Sequence, residues 1–242
     1  MSSVPVVIIS FERYTYLRNM IEQLVFRLDV TRSDIIIVDN ASAYPPLQRY
    51  LTSLEEQGHS VIRMPTNQGH LVAFQDRKLW ESWPRFFALT DPDLEFHADM
   101  PRWFRDDMVR VIEGYNVPKV GCALDISDAH LFMKQTNYGW PGASIPDWER
   151  QFWSDRVNDT EPPIYRAFLD TTFAVYDKER YKHSDPDRFT AMRIAGQFTA
   201  KHLPWYDTEK PEVLRSISCV PTVEERDLYD RSSRCSSMSQ GR

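Results

Sequence analysis

The chain has 242 residues, 42% hydrophobic and 26% charged, enough for one α/β domain with a full core or for two small domains. Its formal net charge of −6 counts against a nucleic-acid binder, which would carry a basic balance. Cys122, Cys219 and Cys235 are far apart with no CxxC, and no apolar run is long enough to span a bilayer or preceded by a basic leader. Those features speak against a disulfide framework, a zinc site, a transmembrane segment or a signal peptide, and for a reducing, cytoplasmic setting.

The first third alternates strand and helix. "VPVVIIS" (Val4–Ser10) is a continuous β-branched run, the mark of a strand covered on both faces. A helix is expected from Tyr14 to Leu28, with Leu17, Met20, Ile21, Leu24, Val25 and Leu28 on one stripe. "DIIIVD" (Asp34–Asp39) reads as a second buried strand, followed by the loop "NASAYPP" and a helix starting near Pro45 or Pro46. "SVIRM" (Ser60–Met64) is a third strand, and a helix is expected from Leu71 to Trp83. "RFFALT" (Arg85–Thr90) is a fourth. The order β-α-β-α-β-α-β implies a parallel sheet with right-handed crossovers. Ligands of such sheets bind beyond the carboxyl ends of the strands. The polar clusters Ser10–Arg13, Asp39–Ser42, Thr66–His70 and Asp91–Asp93 all fall at those ends.

The second part is less regular. A helix is expected from Met100 to Tyr115 and a strand in "VPKVGCALD". "KQTNYGWPGASIPDWERQFW" reads as a long loop with a short helix, a kind of segment that is often functional. "YRAFLDTTFAVYD" reads as strand, bend, strand, with Asp170 inside apolar strand sequence. "RFTAMRIAGQFTAKHLPWY" reads as a helix ending near "KHLPWY". Residues 1–223 are expected to form one domain of two halves, 1–98 and 99–223. The Ser/Arg-rich stretch 224–242 is expected to be a flexible tail.

Asp91-Pro92-Asp93 carries the most chemistry. Two carboxylates one residue apart repel, so they imply a solvated turn or a cation. Mg²⁺ and Mn²⁺ take carboxylate oxygens together with phosphate oxygens, which makes a DxD at a strand end a candidate divalent-metal site. Asp39 is placed to accept from the imide N–H of uracil or thymine, or else to cap a turn. In "TNQGH", Asn67 and Gly69 precede a helix, where Gly69 would let the backbone approach a phosphate or ribose; a plain loop glycine is the alternative.

"VPVVIISFERYTYL", "DIIIVDNAS", "NQGHLVAF" and "ALTDPDLEF" occur in the order and spacing found in the GT-A nucleotide-sugar glycosyltransferases, and they most resemble family 2. The resemblance covers Val4 to Phe96 well and the remainder more loosely. It implies a single-domain Rossmann-like α/β/α sandwich with a mostly parallel sheet, and an inverting transfer from a nucleotide diphosphate sugar with Mn²⁺ or Mg²⁺. It further implies that Ser10, Phe11 and Arg13 line the base and phosphate pocket, that Asp39 reads the base, and that Asp91 and Asp93 serve ribose and metal, Asp93 more directly the metal. The chain departs from the family in two places. "AFQDRK" replaces the usual Ala-Arg-Asn, leaving Arg77 as the candidate arginine, and the common Glu-Asp pair for the catalytic base is missing.

Inversion needs a carboxylate that takes the proton of the attacking hydroxyl. Asp170, Asp147 and Glu149 are candidates, and Asp170 is preferred because "DTTFAVY" resembles the base-carrying strand of small family members. Its alternative is a structural Asp bonded to the Thr171 or Thr172 backbone. Trp140, Trp148 and Glu149 are candidate acceptor contacts, with core packing of Trp148 and Phe152 as the alternative. In "AKHLPWY", His202 is a candidate third metal ligand, with Lys201 or Arg193 adding positive charge. Two other functions compete: a nucleotidyltransferase, which would show a Gly-rich loop where this chain has "SFERYTYL", and a non-catalytic nucleotide- or sugar-binding module.

Overall fold

A computed structural model describes residues 4–133, 143–181 and 190–206. Strand β1 (Val6–Ser10) is buried along its whole length. Its side chains alternate between two cores: Val6 and Ile8 join one, Val7 and Ile9 the other. That period-2 split is why the run is continuously apolar, and each fully buried aliphatic side chain is worth about 1.5–3 kcal/mol. Parallel to β1 lie β2 (Ile35–Asp39) and β4 (Phe86–Thr90), and β2 pairs in parallel with β3 (Ser60–Arg63).

Helix α1 (Tyr14–Glu22) buries Leu17, Met20 and Ile21, as its stripe predicts, and runs on through a wide π turn from Gln23 to Arg27. Helix α2 (Pro45–Glu56) starts on its prolines and buries Leu47, Leu51 and Leu54. Both pack on the first face, with α5 (Phe104–Tyr115), which buries Phe104, Met108 and Ile112 and begins after the expected Met100. The opposite face carries α3 (Val72–Gln75) and α4 (Arg77–Ser82). The single helix expected over 71–83 is thus two short ones. Asp76 is extended, and its carboxylate accepts from the N–H groups of Lys78 and Leu79, so it ends one helix and caps the next.

Beyond β4 the sheet changes character. Its order is β3-β2-β1-β4-β8-β6-β9-β7, with β6 (Lys119–Cys122), β7 (Ile164–Phe168), β8 (Ala174–Asp177) and β9 (Thr190–Ile194). The β4–β8, β8–β6 and β9–β7 pairs are antiparallel, whereas β6–β9 is parallel. Helix α6 (Ile145–Arg150) lies between β6 and β7 in the chain. The helix expected in "RFTAMRIAGQFTAKHLPWY" is not formed. Thr190–Ile194 is a strand hydrogen-bonded on both edges, to β6 and β7. Ala200–His202 is β10, which pairs antiparallel with β5 (Leu94–Phe96) in a separate two-stranded ribbon. Inter-strand hydrogen bonds on both sides override the helical spacing of Ala and Met in this segment. No helix among the described residues is long and apolar enough to cross a membrane.

Candidate active site

The site lies where β4 ends. Asp91, Pro92 and Asp93 link β4 to β5, and β5 is held by Gln23 of the π turn. The Gln23 side chain donates to Leu94 O at 3.0 Å and accepts from Phe96 N at 2.8 Å, replacing a strand partner on that side. On the other side Leu203 N donates to Asp93 O at 2.9 Å, and Leu94 stands opposite His202 in register. The sequence-distant β10 is thereby laid against the DxD turn.

Asp93 is 3% exposed. Its Oδ2 forms an ion pair with the Arg13 guanidinium, and its Oδ1 lies 3.7 Å from His202 Nε2. That Oδ1 is buried and accepts no hydrogen bond from any described residue. A buried carboxylate oxygen without a donor is costly unless a cation completes it. Asp91 Oδ2 accepts from Thr171 Oγ1 at 2.7 Å, and Asp91 N donates to Thr171 O at 3.2 Å. Burial, and then the charge of Asp93, push the Asp91 carboxyl well above the usual carboxylate range, against the lowering effects of Thr171 and Arg13; Asp170 raises it further. The two carboxylates therefore resist being charged together unless positive charge is present.

Asp170 lies in the turn between β7 and β8, not inside a strand, and is exposed. Its Oδ1 accepts from Thr171 N at 2.8 Å, so the structural alternative weighed for it is present alongside its open position beside Asp91. Asp147 lies in the first turn of α6, which Ser144 caps: Ser144 Oγ accepts from Asp147 N at 3.2 Å and donates to the Asp147 carboxylate at 2.6 Å, and that carboxylate pairs with Arg150 at 2.7 Å. Glu149 is 4% exposed and paired with Arg193 at 2.8 Å, so its carboxylate is not offered to an acceptor. Desolvation raises its pKa, while Arg193 opposes this. Trp148 is partly buried and packs edge-on against Phe152 at 5.7 Å, the packing alternative. Trp140 and the 224–242 tail lie outside the described residues.

Of the cations expected to add charge, Arg193 is buried with Glu149, Lys201 pairs with Asp128, and Arg77 is 88% exposed and paired with Glu81. Arg13, by contrast, is paired with Asp93.

The second cluster surrounds Asp39, which is 2% exposed. Its Oδ1 accepts from Ser42 N at 3.3 Å and its Oδ2 from Gln48 Nε2 at 3.2 Å. The Ser10 hydroxyl, wholly buried one strand away, makes no hydrogen bond. Asn67 Oδ1 accepts from Asn40 Nδ2 and from Gly69 N, both at 2.8 Å, which draws the β3–α3 loop over the end of β2. Gly69 has φ +80 and a Cβ there would meet nothing within 4 Å, so its role is the turn itself. Helix α3 has 4 residues, too short for the helix-terminus phosphate site expected of it.

Sequence reasoning did not single out Glu12 or Gln48. Glu12 has φ 56, and its carboxylate accepts from Tyr44 N at 2.8 Å and from Ala43 N, holding the loop that leads into α2. A contact 32 residues away leaves no local signal.

A scan against protein-family models finds no match, and a search of curated proteins finds none that is similar. Among solved structures the chain is similar to GalNAc-T7 with UDP, GalNAc and Mn²⁺, at TM-score 0.50 and 12% identity, over 86% of this chain and 46% of that one. It is also similar to the mannosyltransferase PcManGT from Pyrobaculum calidifontis in complex with GDP-Man and Mn²⁺, at TM-score 0.46 and 14% identity, over 73% and 44%. A third is S. aureus TarS 1–349 in complex with UDP, at TM-score 0.47 and 14% identity, over 89% and 63%. The chain thus spans less than half the length of the first two and under two thirds of the third. The likeness to GalNAc-T7 is one of fold, and that fold is the GT-A glycosyltransferase fold.

Proposed function

We propose that the protein is a divalent-metal-dependent glycosyltransferase that moves a sugar, with inversion, from a nucleotide diphosphate sugar to a hydroxyl of a glycan or other acceptor. The observation that carries this reading is Asp93 Oδ1, buried, without a hydrogen-bond donor, and 3.7 Å from His202 Nε2 at the end of β4. The donor types suit the metal, carboxylate and imidazole Mn²⁺ and carboxylate Mg²⁺, although no three such side chains are gathered around one point among the described residues. Asp93 and His202, with Asp91 beside them, would hold the ion. Bound there, it would neutralise the charge that grows on the departing diphosphate.

The other residues act around that point. Asp39 accepts from the base, with Gln48 and Ser42 N fixing its carboxylate. A carboxylate acceptor suits the imide N–H of uracil or thymine, so a UDP- or TDP-sugar is favoured. Ser10 and Phe11 line the same pocket at the end of β1. Arg13, the residue directly before α1 and paired with Asp93, would turn to the diphosphate. Asn67 and Gly69 shape the loop over the ribose. Asp170 takes the proton of the acceptor hydroxyl as that oxygen bonds the anomeric carbon from the face opposite the diphosphate. The bond from the anomeric carbon to the phosphate oxygen breaks as it does so, and the diphosphate leaves with the electron pair.

The test is release of nucleoside diphosphate from UDP-glucose, UDP-GlcNAc and TDP-glucose with Mn²⁺, over a panel of sugar acceptors, by the natural chain and by Asp93→Ala. Metal-dependent, acceptor-stimulated release by the natural chain, lost in Asp93→Ala, is the expected result. Release that EDTA and Asp93→Ala leave unchanged would contradict it.

A further inference from the structure

Two buried cations lie outside the roles given so far. Lys119 on β6 is 2% exposed and Arg193 on β9 is 3% exposed. Burying a charge costs several kcal/mol even when it is paired, and an apolar residue of similar size often serves stability as well or better. Both cations converge on one piece of backbone. Lys119 Nζ donates to Leu169 O, and Arg193 Nε donates to Phe168 O at 2.7 Å. These are the two carbonyls immediately before Asp170. Arg193 is itself fixed by Glu149 at 2.8 Å and by the Phe152 ring, 4.3 Å from its guanidinium carbon. Lys119 sits over the Tyr176 ring at 5.5 Å.

The far side of the same turn is also seated. Cys122 N donates to Phe173 O at 3.1 Å. Gly121 has no side chain to hold that carbonyl away: a Cβ there would lie 2.4 Å from Phe173 O and 2.7 Å from Leu169 Cδ1. The middle of the turn is bound to the acidic pair, since Thr171 bonds Asp91 through both its hydroxyl and its carbonyl. A shift of the turn would therefore move Asp170 relative to Asp91.

We infer that Lys119 and Arg193 are positioning residues, clasping the carbonyls of Leu169 and Phe168 so that Asp170 is held beside Asp91 in the geometry that transfer needs. This rests on Asp170 as the proton acceptor. It goes further in assigning the β6–β9 half, and the Glu149–Arg193 pair in particular, to placing that group and not to contacting the acceptor.

The experiment compares the full chain with Lys119→Met, which removes the donor at nearly constant shape, and with Arg193→Lys, which keeps a cation for Glu149. Thermal melting establishes that each variant is folded. Amide hydrogen exchange is then followed in a peptide spanning 168–173, together with kcat and donor KM for the donor that the natural chain uses. For Lys119→Met we expect faster exchange in that turn, kcat about tenfold or more lower, and donor KM within about twofold, because misplacing a reacting group costs rate and not ground-state binding. Arg193→Lys should show the smaller effect of the two. Unchanged exchange in the turn, or unchanged kcat with faster exchange, would overturn the inference. The exchange arm needs no donor. Faster exchange in Lys119→Met, with no turnover of any donor by the natural chain, would leave the clasp standing and remove the glycosyltransferase reading.

Discussion

The two halves of the sheet solve different problems with different residues. From β3 to β4 all pairs are parallel, β1 and β2 are mainly β-branched, β4 is built of Phe, Ala and Leu, and the polar groups appear only at the strand ends. From β8 to β7 the pairs are mixed, and charge is buried inside the half itself: Lys119, Glu149, Asp177 and Arg193 are each less than 5% exposed. In the first half, loops carry the function and the strands only support them. In the second, buried ions hold a turn in place, so function and core share the same residues. Mutations should accordingly separate cleanly in the first half and mix stability with activity in the second.

The largest effect expected is that of Asp170→Asn. Loss of a general base should lower kcat by about 10²–10⁴-fold while nucleotide affinity stays the same, read by steady-state kinetics and calorimetry on one preparation. An equal loss of nucleotide binding would show that Asp170 belongs to the donor pocket. Next is Glu149→Ala, which leaves Arg193 charged and unpaired in the core. Urea unfolding should show a loss of about 3–5 kcal/mol, and a loss under 1 kcal/mol would show that water reaches the pair.

A stability effect without a catalytic one is expected in the first half. His59 is 5% exposed, both its ring nitrogens lack hydrogen-bond partners, and burial followed by the charge of Arg32 lowers its pKa from 6.5. The unfolded chain therefore takes up the proton more readily than the folded one. The stability His59 contributes is complete above pH 6.5 and is lost as pH falls through the interval below it. Melting temperatures between pH 7.5 and 5 should fall less for His59→Leu than for the natural chain, and an identical slope would assign the acid loss elsewhere. The smallest effect is that of Arg77→Ala. Arg77 is exposed and paired only along its own short helix, so the change should cost under ~0.5 kcal/mol and leave activity unaltered. A large rise in donor KM would instead return Arg77 to the diphosphate site.

How much of this was legible in the sequence follows the same division. β1, β2 and β4 were readable because both faces of each are buried, which writes a continuous apolar run, β-branched in β1 and β2 and Phe-, Ala- and Leu-based in β4. β9 and β10 were not, because Ala, Met and Lys favour a helix in isolation and only partners far along the chain, β6, β7 and β5, make those segments strands. Local motifs point to the DxD turn, Asp39 and His202, and the fold brings Asp93 and His202 to 3.7 Å. Arg13 was expected at a phosphate, and its pairing with Asp93 spans 80 residues. Glu149 and Arg193, 44 residues apart, show no periodicity or spacing that would join them. Asp170 was expected in a strand because its flanks are apolar; Leu169 and Phe173 are buried but flank a turn, and Phe168 is exposed.

The central claim is that the acidic pair at the end of β4 is a cation site for a nucleotide diphosphate. Calorimetric titration of UDP, TDP and GDP, each with Mn²⁺ and with EDTA, tests it most directly. The account predicts binding of UDP or TDP that requires Mn²⁺ and is lost in Asp93→Ala. Folded protein that binds none of the three, or binds them equally well with EDTA, would contradict it and leave Asp91-Pro92-Asp93 as a turn.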